Sequence, residues 1–177
     1  MLSQLNPLNI IESHLKTLGS KRPSQADTID RRAASLFLFS GIPFSVYQAW
    51  TMLSGYFLPA EIVGVVVSAA AIVAGLLLNL LVLIYTLVQN QIEKLTDTKN
   101  LFVQIARHTF YNISFTVLAS LALVLVSLMC LANNFYLRIF GNILTFYVGT
   151  LTILALLMVL KKCHKLIDFD FQRTQGK

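Results

Sequence analysis

The stretch AEIVGVVVSAAAIVAGLLLNLLVLIYTLVQN, residues 60–90, decides the class of this protein. After Glu61 no charged side chain occurs until Glu93. About 20 apolar residues suffice to cross the hydrocarbon core of a bilayer, so this run spans with tilt or continues as helix beyond it. Gly64, Ser68, Ala71, Gly75, Asn79, Thr86 and Asn90 recur at helical spacing. That places the small and polar side chains on one face, with Val, Ile and Leu opposite. The pattern predicts a membrane helix with a protein-facing small-residue stripe and a lipid-facing apolar surface.

Composition agrees. Of 177 residues 56% are hydrophobic and 12% charged, against roughly a quarter charged in soluble domains. The net charge of +6 would suggest nucleic acid in a soluble chain. In a membrane protein, basic residues collect at the cytoplasmic ends of spans, so no direct nucleic-acid binding is expected. Cys130 and Cys163 are too few for a disulfide framework and are expected toward opposite membrane faces. Residues 1–30 do not read as a cleavable signal peptide, so the first span is expected to target the chain.

Working outward, the expected fold is all-α: a polytopic four-helix transmembrane bundle with spans at about 33–57, 60–90, 108–131 and 140–160. Residues 1–32 form a cytoplasmic segment carrying a short amphipathic helix, about 7–18. Asn6-Pro7 starts it and Gly19 stops it. Leu8, Ile11, Leu15 and Leu18 line its apolar side. This helix either docks a soluble partner or caps the protein's own bundle. The first span contains Pro43, expected to kink it. Gln48 should face other helices, while Tyr47, Trp50 and Tyr56 suit the interface. The Leu58-Pro59 turn predicts a tight hairpin of the first two spans. The connection 90–107 reads as a solvated loop. In the third span Asn112, Thr116, Ser120, Ser127, Cys130 and Asn134 form a second polar stripe, and Asn142, Thr145, Gly149 and Thr152 form a third in the fourth span. Residues 161–177 are a basic tail that extends the last helix or binds a partner.

Thirteen of the 14 Lys and Arg residues lie before the first span, in 90–107 or after the last span; Arg138 is the exception. The positive-inside rule then predicts both termini in the cytoplasm. The polar stripes have two accounts. Small residues let helices approach closely while Ser, Thr and Asn hydrogen-bond across them, or the stripes line a water path that requires a homo-oligomer. The face from Gly64 to Asn90 is the best candidate for an oligomer contact.

Catalytic signals are missing. No HExxH, GxSxG, Walker A or Gly-rich dinucleotide loop occurs, and no charged residue sits in mid-span as proton-coupled transporters usually require. His14, His108 and His164 are expected to be solvated or interfacial, with no metal site. The chain is read as a non-enzyme without cofactor.

Arg31-Arg32 before the first span, LLLNLLVLIYTL at 76–87, FYNISFTVLAS at 110–120 and KKCHK at 161–165 resemble four-span proteins of bacterial phage-defence gene clusters, including the small membrane subunit of the Kiwa system. The resemblance implies an inner-membrane homo-oligomer, a soluble cytoplasmic protein partner, and a role in sensing infection or perturbing the membrane. It transfers no functional residue. The function expected is a non-enzymatic membrane subunit that assembles and recruits that partner. The alternative is a channel-like or permeabilising effector with an oligomeric pore.

Overall fold

The structure, a computed structural model, describes residues 7–18, 31–92 and 99–175; Asn6, Gly19 and residues 93–98 lie outside them. Every element among the described residues is a helix: α1 (Pro7–Leu18), α2 (Arg31–Phe39), α3 (Ile42–Leu53), α4 (Ala60–Ile92), α5 (Lys99–Met129) and α6 (Phe135–Gln175). Four segments are long and apolar enough to cross a membrane: Arg32–Leu53, Ala60–Thr86, Ala106–Met129 and Phe135–His164. The protein is therefore a multi-pass membrane protein.

The first span is two helices rather than one kinked helix. The chain breaks at Ser40-Gly41, and Pro43 falls in the first turn of α3, where its missing N–H removes no hydrogen bond. The break is held from outside. Tyr147 of α6 donates its hydroxyl to the Leu38 carbonyl at 3.0 Å. A Cβ on Gly41 would stand 2.7 Å from Tyr147 Cδ2 and 3.1 Å from the Tyr147 backbone oxygen, so only glycine permits this approach. The first span also ends earlier than expected. Gly55 adopts φ +83°, and Gly55 and Tyr56 donate their amides to the carbonyls of Met52 and Thr51, a Schellman closure of α3.

The packing order corrects the expected hairpin of the first two spans. α4 and α6 both pack along α5, and α3 packs on α6 rather than along α4. Side chains at the turns explain this. Asn142 of α6 accepts the Leu58 amide through Oδ1 at 3.0 Å and donates through Nδ2 to the Arg138 carbonyl at 2.8 Å. The Arg138 guanidinium lies 4.6 Å from the centre of the Phe57 ring. The turn after α3 is thus fastened to the start of α6. The core lies between α4, α5 and α6, built on Leu77, Ile84, Ala106, Ile113, Val117 and Val159.

The expected loop 90–107 is largely helix: α4 runs to Ile92 and α5 begins at Lys99. The tail likewise continues α6 to Gln175. At about 1.5 Å per residue, the part of α6 beyond His164 projects roughly 16 Å past its membrane span. α1 packs on α5 and touches α2, the arrangement in which a helix caps its own bundle. Ile11 and Leu15 are half-buried there. The side chains of Leu8 and Leu18 lie outside those described.

Candidate functional site

Three polar stripes were expected on three helices, and the structure treats them in opposite ways. On α5, Asn112, Thr116, Ser120 and Ser127 are fully buried, and Cys130, just past its end, nearly so. Asn134, expected on the same stripe, is instead exposed and accepts the Tyr136 amide at 3.0 Å at the start of α6. Thr116 donates its hydroxyl to the Asn112 carbonyl at 2.8 Å, and Ser120 to the Thr116 carbonyl at 2.9 Å. Cys130 meets Thr145 of α6 at 3.5 Å. These hydroxyls satisfy themselves on their own backbone, so they let neighbouring helices close in without needing water. On α6, Asn142, Thr145 and Thr152 are buried in the same way, and Thr152 bonds the Val148 carbonyl. Gln48 is buried on α3.

On α4 the small and polar stripe is not the face that packs the bundle. Val63, Ala70, Ala74, Leu77 and Ile84 are the buried positions. Gly64, Ser68, Ala71, Gly75, Asn79 and Thr86 are exposed, and the side chain of Asn90 lies outside those described. A Cβ built on Gly64 or Gly75 meets nothing within 4 Å. The stripe expected as an oligomer contact is therefore open within the protomer, and Val65, Ile72, Leu76 and Leu83 are exposed beside it, on the side expected to face lipid; a separate face of α4 packs the bundle. The cause is the hydropathy of the setting. With lipid outside, apolar side chains gain nothing by facing it rather than α5, and shape fit between helices decides.

Asn79 sits about 9 Å from the centre of its span at 1.5 Å per residue, within a hydrocarbon layer about 30 Å thick. An unpaired amide in an apolar medium costs roughly 2–7 kcal/mol. Ser68 and Thr86 flank it on the same face, and Thr86 bonds the Leu83 carbonyl at 2.8 Å.

A second assembly lies where α1 meets the bundle, and it corrects the expectation for His14. This side chain is fully buried. Its Nδ1–H donates to Asn112 Oδ1 at 2.7 Å. Its ring stacks on Phe115 at 3.9 Å and 4°, and meets Phe37 edge-on at 5.4 Å. Burial lowers the His14 pKa to about 4, with Lys162 adding to the shift and the Asn112 bond opposing it. His164 is exposed and His108 half-buried. Sequence spacing could not reveal this site, because His14 lies outside every span and its hydrogen-bond partner Asn112 is 98 residues away. Cys130 and Cys163 are both free thiols. Among the described residues no three His, Cys, Asp or Glu side chains cluster as metal ligands.

No family model matches the chain, and neither a curated protein nor a solved structure matches it.

Proposed function

We propose that this protein is a non-enzymatic membrane subunit that assembles with copies of itself through the outward face of α4 and recruits a soluble protein on its basic side. The observation that carries the reading is the exposed Asn79, set between Gly75 and Thr86 on a face where backbones can approach closely. Interhelical contacts in lipid are built from small residues and polar side chains, and α4 presents that combination away from its own bundle. The projecting end of α6, the helical start of α5 and α1 together offer a surface for the partner. The basic residues at these ends favour the cytoplasm and N-in, C-in topology by the positive-inside rule, and the phage-defence resemblance implies a bacterial inner membrane.

The test is the mass of the complex purified in mild detergent from native membranes, for wild type and Gly75→Leu. Gly75 has open space around it, so leucine there leaves the protomer intact. The expected result is a homo-oligomer for wild type, a monomer for the variant, and a co-purifying soluble chain in fixed ratio. A monomeric wild type defeats the reading.

The same face favours a second reading, in which Ser68 and Asn79 line a pore at the oligomer axis. Expression would then depolarise cells, and Asn79→Leu would suppress depolarisation at unchanged membrane level. The buried stripe on α5 does not support a path within one protomer, because its Thr116 and Ser120 hydroxyls are bonded to their own helix.

A further inference from the structure

The break at Gly41 has a geometric consequence on the side of the membrane where the first span begins and the last one ends. Tyr147 pins the chain to α6 at the break, and α3 packs on α6 beyond it. α2, on the other side of the pin, touches α6 only slightly. Between α2 and α6 lies an open groove of about 440 Å³. Ala33, Leu36 and Phe37 form one wall, Leu154 and Leu157 the other, and Lys161 stands at the mouth. Leu36 and Leu157 are 74% and 57% exposed, so the groove opens to the surroundings of the span rather than into the bundle.

We propose that this groove binds one anionic phospholipid, with an acyl chain along Leu36, Phe37, Leu154 and Leu157 and the phosphate at Lys161. Depth and charge select this occupant. From Lys161 to Leu154 the groove descends about 10 Å at 1.5 Å per residue, within the roughly 15 Å of hydrocarbon that one leaflet supplies. That puts Lys161 at headgroup height and the apolar walls at acyl-chain height. Apart from Lys161 the named walls carry only apolar side chains, which suit a hydrocarbon chain and offer a peptide no hydrogen-bonding side chain. A zwitterionic lipid brings its own ammonium to this end; an anionic lipid does not. The phosphate belongs to a membrane lipid rather than to a free anion, because the groove below it is apolar.

The test uses a single tryptophan as reporter. Trp50, the only tryptophan, is replaced by Phe, and Leu157→Trp places the indole in the groove. The protein is reconstituted in vesicles of phosphatidylcholine and phosphatidylglycerol in which one or the other is brominated, and quenching gives the relative affinity. The same reporter at Leu83, exposed on α4, reads bulk lipid. A basic residue near an anionic surface is worth about fivefold in affinity. The expected result is a preference for phosphatidylglycerol of at least fivefold at position 157, none at position 83, and a loss of about fivefold at 157 on adding Lys161→Gln. Equal quenching by both lipids at 157, or a preference that Lys161→Gln leaves unchanged, overturns the proposal. So does an indole at 157 that neither brominated lipid reaches, which would mean a protein covers the groove.

Discussion

Four glycines show how one residue type serves opposite ends. At Gly41 and Gly141 an added Cβ would meet backbone, at 3.1 Å from the Tyr147 oxygen and 2.9 Å from the Cys130 nitrogen. Gly64 and Gly75 have open space. Alanine at 41 or 141 should therefore destabilise by about 1–3 kcal/mol, as overpacking does. Alanine at 75 should be neutral or stabilising by up to about 1 kcal/mol, because glycine is the poorer helix former. Thermal melting in one detergent compares the three variants. That expectation holds for the protomer alone, where nothing lies within 4 Å of the added Cβ; a destabilised Gly75→Ala would report close contact between copies at this face. His14 makes a pH prediction. Its pKa falls from 6.5 to about 4 on docking, so the neutral form is the docked one. Docking is therefore strongest above pH 6.5 and weakens as pH falls toward 4, by about 3 kcal/mol at most. A spin label at position 12 in a cysteine-free variant should gain mobility across that window, and His14→Phe should abolish the change. Mobility constant from pH 7 to pH 4.5 would refute the effect.

At the scale of elements, the first span depends on groups supplied by α6. Tyr147→Phe removes only the hydroxyl that bonds the Leu38 carbonyl, and should lower stability by about 0.5–1.5 kcal/mol. Asn142→Ala leaves the Leu58 amide without its acceptor, at a cost of about 1–3 kcal/mol, and should free the turn after α3. Amide exchange at 56–60 should accelerate while exchange in α5 stays slow. Exchange unchanged at that turn would mean Arg138 over Phe57 suffices to hold it. Helix ends proved less legible than helix existence. Gly55 after Ser54 is a recognisable stop, yet hydropathy runs on to Phe57 and hides it. Pro43 was legible as a disruption, but whether proline bends a helix or begins a new one depends on the Tyr147 contact.

For the whole molecule, the packing order α4–α5–α6–α3 among the described residues leaves α4 packed mainly on α5, with an open face. Removing residues 166–177 should abolish recovery of a soluble partner and leave the oligomer intact, because assembly is assigned to α4 and recruitment to the projecting ends. Co-purification with and without the truncation measures this. Partner recovery at wild-type level would move the docking surface to α1 and α5.

The sequence by itself determined the solvent of this protein and the number of times it crosses it. Uninterrupted apolar length is a local property, read residue by residue, and nothing distant can change it. It also determined which side chains share a helical face, since that follows from 3.6 residues per turn. What a face meets was decided only by the tertiary structure. In water a polar stripe on an apolar helix points outward, but inside a bilayer an apolar face fares about as well against lipid as against protein, so burying it no longer orients the helix. Shape then chooses, and it buried the stripe of α5, exposed that of α4, and brought His14 to Asn112 across most of the chain.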